Sequence, residues 1–285
     1  MNSRIEHIPT VSAVYYALLQ SGYEFYSLER QKDLCRAVES HITAEKAPSF
    51  FSEVRQSTCS VYPFWPRAFL LEAATFFLSD DLDGFTDLDA LKNRILSAAN
   101  LSPEEKNDSL WDWLTGFPTA LKTVVNSNRF PSYLKWESEW ISDQNKKYSG
   151  ELHKLDDVLR NCCEKYRPTC RNVRIVLNPI KCVFSSDYHF WGDSFIFISG
   201  DLKIPSVVHE YLHTVVHPLL VQMKTDRREY PGIDASYYLD RSDRGYRNAF
   251  EEYAVRSLTD SILRQTWPSD LPDYLDHLRQ KPGNG

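Results

Sequence analysis

Apolar positions recur at helical spacing through most of the first 165 residues. Segments 11–20 and 131–148 place aliphatic and aromatic residues three and four positions apart, which predicts amphipathic helices. Segment 66–78 is almost continuously apolar and predicts a buried helix at the centre of an N-terminal core. A Ser-Gly break at 149–150 precedes another helical pattern at 152–166. The pattern therefore predicts a helical N-terminal region.

The hydrophobic period changes near residue 170. Segment 172–177 is rich in β-branched residues and predicts a strand, as do 181–184 and 194–199. An apolar helix follows at once, with Pro205 as a suitable first helical residue. We expect an α+β fold that is mostly helical. A helical region spans residues 1–149, and a core with a small sheet and a central helix spans 150–285, ending in a disordered tail.

Composition and charge narrow the function classes. Hydrophobic residues make up 42% of the chain and charged residues 25%, which is ordinary for a folded soluble protein. The net charge of −6 predicts no basic surface for nucleic acid. We find no apolar run of about 18 residues, so no membrane span is expected. The first residues also lack the apolar stretch of a signal peptide, which predicts a cytoplasmic protein.

The helix after the predicted sheet carries the pattern His-Glu-x-x-His. His209 and His213 are four residues apart, so both imidazoles lie on one helical face and can bind one ion. Glu210 is the only charged residue between positions 204 and 220, so the helix is expected to be buried. Its carboxylate follows the first ligand and can reach a water rather than the ion. This arrangement is typical of zinc-dependent hydrolases, with Glu210 as general base.

A catalytic zinc ion usually has a third protein ligand. His217 continues the row, but it lies about 12 Å along the helix from His209, which is too far to share one ion. We therefore expect His217 to have a structural or supporting role. A later helical segment, 247–258, offers two carboxylates: Glu251 falls within the apolar arc and Glu252 outside it. A buried carboxylate needs compensation, which favours Glu251 as ligand and keeps Glu252 as its rival.

These motifs resemble those of the zincin metallopeptidases, in particular the gluzincins, over roughly residues 170–265. In gluzincins the third zinc ligand is a Glu on a second helix, often in a Glu-x-x-Ala context, which Glu251 and Ala254 match. The stretch 209–218 is also similar to a family of uncharacterised bacterial zincins that carry His-Glu-Phe-Ser-His-Ser-Phe-Val-Asn-Pro. In the register of that family Glu252 would be the ligand, so the choice between the two stays open.

The resemblance implies a zincin-like core with Zn²⁺ as cofactor and a polypeptide substrate. In zincins an edge strand before the active helix pairs with the extended substrate, and 195–199 is the strand in that position. Candidates for the donor that stabilises the oxyanion are the tyrosines of 223–246 and His189, and the sequence selects none of them. Two other functions remain open: a zinc hydrolase of non-peptide amides or esters, and a non-catalytic helical interaction protein with a relic site. Glu210 favours the enzymes, because a structural site needs no base.

Overall fold

The structure is a computed structural model of the 285-residue chain. It describes residues 4–22, 32–42, 47–56, 116–181, 186–191, 193–222 and 243–280. The predicted helix at 66–78 and the tail from 281 lie outside these residues, as do positions 182–184 of the strand predicted at 181–184. None of the helices within the described ranges combines the length and apolar character needed to cross a membrane.

The described residues form four strands and nine helices, so the predicted α+β class with mostly helical content is confirmed. The strands are β1 (Ile5–Glu6), β2 (Asn172–Leu177), β3 (Asp187–Trp191) and β4 (Ser194–Ser199). The helices are α1 (Pro9–Gln20), α2 (Lys32–Ile42), α3 (Ser49–Gln56), α4 (Phe117–Val125), α5 (Phe130–Lys147), α6 (Ser149–Tyr166), α7 (Ile204–Gln222), α8 (Asp243–Leu263) and α9 (Leu271–Gln280). The predicted strands at 172–177 and 194–199 are confirmed residue for residue.

The four strands form one mixed sheet in the order β1-β2-β4-β3. β1 runs parallel to β2, and β3 runs antiparallel to β4. β4 is buried along its whole length, with β2 on one side and β3 on the other. The expectation that 195–199 is an edge strand is therefore wrong. The physical reason is β3, which occupies the backbone edge of β4 that an extended peptide would need.

Contacts between Cα atoms divide the chain into two compact units. Among the described residues, the sheet unit comprises 4–149 and 173–202, and the helical unit comprises 150–172 and 203–280. One boundary falls between Ser149 and Gly150, at the break in the sequence pattern. The strands after residue 172, which the predicted division assigns to the C-terminal core, pack with the N-terminal helices.

The core of the sheet unit is built around α1. Residues 10–18 of this helix are all buried, because the helix is apolar on every side. Its aromatic residues meet those of α5: the ring centroids of Tyr16 and Phe130 are 5.2 Å apart, and those of Tyr16 and Tyr133 are 5.0 Å apart. Such pairs stabilise beyond their buried area, so these contacts help to hold α5 against α1.

Glu137 on α5 is fully buried, and its carboxylate joins three parts of the sheet unit. Oε2 lies 2.9 Å from Nε2 of His7. Oε1 accepts hydrogen bonds from Tyr133 Oη at 3.1 Å and from Asn178 Nδ2 at 2.6 Å. A carboxylate so enclosed is tolerated only because these donors compensate for its lost hydration.

Replacing Glu137 with alanine should lower the free energy of unfolding by about 3–5 kcal/mol, because buried donors then lose their acceptor. Urea unfolding followed by circular dichroism measures this change. Glu139→Ala on the exposed face of the same helix is the matched control, with an expected change within about 0.5 kcal/mol. Equal stability of the two variants would refute the role given to Glu137.

Candidate metal centre

Helix α7 carries the His-Glu-x-x-His motif, and its apolar residues hold the helix in place. Those fully or almost fully buried are Val207, Val208, Tyr211, Leu212, Val215, Val216 and Leu220. The predicted burial of this helix is therefore confirmed. The helix continues past Pro218 to Gln222, so His217 stays on the same row as His209 and His213.

Helix α8 packs against α7 within the helical unit. Its buried apolar residues are Ala249, Phe250, Ala254, Val255, Leu258 and Ile262. Glu251 lies among them and is only 7% exposed, which confirms the side of the helix predicted for it. Glu252 is half-buried at the edge of the same interface. Both carboxylates are therefore within reach of the histidines on α7.

The carboxylate of Glu251 is shared by two imidazoles of α7. Oε1 lies 2.8 Å from Nδ1 of His213, and Oε2 lies 2.8 Å from Nδ1 of His217. Because an ionised carboxylate only accepts hydrogen bonds, both Nδ1 atoms donate to it. Both oxygens of Glu251 are thus engaged by Nδ1 atoms. The helical row of histidines predicted a supporting role for His217 but could not identify this partner.

The carboxylate of Glu252 faces the Nε2 atoms of two imidazoles, whereas that of Glu251 faces Nδ1 atoms. Its Oε1 lies 3.4 Å from Nε2 of His213, and its Oε2 lies 3.5 Å from Nε2 of His209. These separations exceed those of an ordinary N–H···O hydrogen bond. Arg256, one turn further along α8, approaches Oε2 at 3.5 Å. The two Nε2 atoms of the motif therefore converge on one carboxylate, at a distance longer than direct hydrogen bonding requires.

Glu210 completes the group on α7. Donor atoms of His209, Glu210 and His213 all lie within 4.8 Å of one another. Within the described residues, these three side chains form a group that could hold a metal ion, and Glu252 from α8 lies beside its two imidazoles. Glu210 is half-buried, between the two histidines in sequence and next to the first of them. Its carboxylate therefore belongs to the same group as the two imidazoles.

The donor set fits a divalent metal ion. Nitrogen and oxygen ligands that surround zinc tetrahedrally at 2.0–2.1 Å are about 3.3–3.4 Å from each other. Glu252 offers a separate oxygen to each imidazole, Oε1 at 3.4 Å from His213 and Oε2 at 3.5 Å from His209, and each of these two separations is close to that value. Two imidazoles with carboxylates suit zinc, and they also suit manganese, iron and cobalt. These side chains could hold a metal ion, but their chemistry alone does not select zinc.

The pKa values of the site are set by the pairing of its histidines with Glu251 and Glu252. Burial lowers the pKa of His213, but its hydrogen bond to Glu251 and the nearby carboxylate of Glu252 outweigh this and raise the pKa to about 10. Burial raises the pKa of Glu251 and of Glu252, but the interactions with the histidines outweigh it and lower both pKa values: hydrogen bonds for Glu251, and the close imidazoles of His209 and His213 for Glu252. In the metal-free protein these opposite charges compensate one another, which explains how ionised groups persist between two packed helices.

The stability of the metal-free protein should decrease as the pH rises from about 6.5 to about 10, the range between the ordinary and folded-state pKa of His213. Its bound proton stabilises the fold fully below the lower value, and this contribution is lost as the pH passes the upper one. We expect a loss on the order of a few kcal/mol in urea unfolding with chelator present. His213→Gln should remove this slope, whereas His153→Ala, at an exposed position, should keep it. An unchanged slope in His213→Gln would contradict the assignment.

The residues proposed for the oxyanion are less fully described. Of the candidate segment 223–246, residues 223–242 lie outside the described residues, and Tyr246 lies on α8. His189 is buried on β3 in the sheet unit.

Comparison of the whole chain with models of known families, with curated proteins and with solved structures finds no significant match. The convergence of His209, His213 and Glu252 is the observation from which a function can be argued.

Proposed function

We propose that this protein is a zinc-dependent metallopeptidase in which His209, His213 and Glu252 hold the ion and Glu210 is the general base. The observation that carries the proposal is the convergence of two Nε2 atoms on one carboxylate, at 3.4 and 3.5 Å. Structural zinc sites have four protein ligands, whereas catalytic sites have three and leave a position open. A site with two histidines, one glutamate and an adjacent second glutamate belongs to the catalytic type.

Glu252 is a better third ligand than Glu251, which we favoured from the sequence. Both oxygens of Glu251 lie 2.8 Å from Nδ1 atoms, of His213 and His217. A carboxylate that accepts from the Nδ1 of a liganding histidine orients the imidazole, so that Nε2 faces the metal. Glu252 faces those Nε2 atoms. We therefore assign Glu251 to the support of His213 and Glu252 to the ion.

In this proposal, catalysis depends on the ion and on the side chain of Glu210. Bound zinc supplies Lewis acidity, polarising a carbonyl group and lowering the pKa of a water molecule toward neutrality. Glu210 accepts the proton of that water as it attacks the carbonyl carbon. The same carboxylate then donates the proton to the leaving amine nitrogen, so that one residue serves as base and acid. Its half-buried position suits this role, because it stays accessible to a substrate.

A peptide bond is the substrate that the resemblance of the motif supports. The extended pairing predicted along 195–199 is not part of the proposal, because β4 already has neighbours on both sides. A zinc hydrolase of simple amides or esters would use the same side chains. The experiment that follows therefore has to compare the two substrate classes.

The zinc-loaded protein should cleave members of a mixture of unstructured peptides, and mass spectrometry of the new termini identifies the bonds. The Glu210→Gln variant, prepared in the same way, corrects for contaminating peptidases. Turnover of small esters or amides without any peptide cleavage would exclude the peptidase and favour the hydrolase. Absence of turnover in every arm, with zinc bound, would refute the enzymatic proposal.

A further inference from the structure

We propose that His217 is a positioning residue of the metal centre, acting through Glu251 to hold the imidazole of His213. The inference rests on the proposed function, since it concerns how well the same site binds its ion. His217 is excluded from the ligands by its distance along α7 from His209, about 12 Å. It nevertheless belongs to the site, because it and His213 share one carboxylate.

Each oxygen of the Glu251 carboxylate accepts a hydrogen bond from a different imidazole. His213 and His217 lie one turn apart on α7, so their Nδ1 atoms approach the two oxygens of Glu251 from the same helical face. Each distance is 2.8 Å, within the range of strong, charge-assisted hydrogen bonds. Glu251 comes from α8, so the three side chains also link the two helices that provide the ligands.

Two hydrogen-bond donors fix the orientation of the Glu251 carboxylate, which a single donor would leave free to rotate. A carboxylate with a single partner can rotate about its terminal bond, whereas donors at both oxygens define the plane of the group. The orientation of that plane determines where Nδ1 of His213 points, and so the direction of its Nε2 lone pair. Residues that orient a ligand in this way raise metal affinity without touching the ion. We infer that His217 contributes to affinity by this route.

The exposure of His217 makes the idea testable. Its side chain is 39% exposed, while that of Glu251 is 9% exposed. Truncation of His217 therefore removes a hydrogen bond at the rim and leaves the apolar contacts between α7 and α8 in place. Asparagine is the conservative replacement, because its amide nitrogen is as many bonds from the backbone as Nδ1 of histidine.

The experiment measures the dissociation constant of zinc by competition with a chromophoric chelator. We expect His217→Ala to weaken binding by about 10-fold or more and Glu251→Gln by about 10- to 100-fold. His217→Asn should restore the wild-type constant to within about threefold. In the Glu251→Gln background, His217→Ala should add less than about twofold, because the residue through which it acts is already lost. His153→Ala removes an exposed histidine of α6 and should change nothing.

A second readout is independent of the binding constant. In nuclear magnetic resonance spectra of the zinc-loaded protein, the Nδ1 proton of His213 should exchange slowly with water, and faster in His217→Ala. The inference would be overturned if His217→Ala bound zinc as tightly as the wild type. It would also be overturned if the losses of affinity in His217→Ala and Glu251→Gln multiplied in the double variant. Either result would leave the proposed function standing. Failure of the wild-type protein to bind zinc would overturn both. Weak binding in His217→Asn equal to that of His217→Ala would overturn the hydrogen-bond explanation.

Discussion

Replacement of Glu210 with glutamine should lower kcat by about 10²- to 10⁴-fold and leave the bound zinc in place. The amide keeps the size and shape of the carboxylate, so α7 and the adjacent imidazoles should be undisturbed. It cannot take a proton from water at neutral pH, and therefore the attack and the protonation of the leaving amine both lose their catalyst. Initial rates on an identified peptide, with zinc content measured on the same sample, check the expectation.

Glu164→Gln is the matched control for this variant. Glu164 lies on the exposed face of α6 in the same unit, so the loss of one negative charge is reproduced without contact with the centre. Its kcat should equal that of the wild type. A Glu210→Gln protein that binds zinc and retains the full rate would rule out Glu210 as the general base.

Replacement of Glu252 with alanine should weaken zinc binding by more than the roughly 10- to 100-fold expected for loss of an outer hydrogen-bond partner. The variant loses the carboxylate that both Nε2 atoms face, at 3.4 Å for His213 and 3.5 Å for His209. Glu251→Ala should stay within the 10- to 100-fold range, because the ligand it supports is still present. Competition with a chelator measures both constants under one set of conditions.

Asp260→Ala controls for the removal of a carboxylate from α8, since Asp260 is exposed on the same helix. Its zinc affinity should match the wild type. Should Glu251→Ala prove the more damaging of the two substitutions, the assignment would be reversed, with Glu251 as ligand and Glu252 as support.

Local pattern was enough to predict much of this site. The spacing of His209 and His213 placed two imidazoles on one face, and the lack of other charges around Glu210 predicted a buried helix. The apolar arc of α8 predicted that Glu251 is buried, and it is. Helical periodicity gives the direction in which a side chain points around the axis of its own helix. It does not give the register of α8 against α7, which decides whether a carboxylate meets Nδ1 or Nε2.

The sheet shows the same division between local and non-local information. Strands β2 and β4 were predicted because their β-branched and aromatic residues carry a local preference. Strand β3 was not predicted, although Tyr188, Phe190 and Trp191 favour strands; it is a short segment that pairs antiparallel with β4. Strand order is likewise a property of pairing. The position of β4 inside the sheet could therefore not be obtained from its own sequence.

The most direct test of the account is the zinc content of the purified wild-type protein, determined by elemental analysis together with its peptidase activity before and after chelation. The account predicts one zinc ion per chain, loss of activity when the ion is removed and recovery when zinc is restored. A folded chain that retains no metal after incubation with zinc, or that cleaves peptides equally well without it, would contradict it.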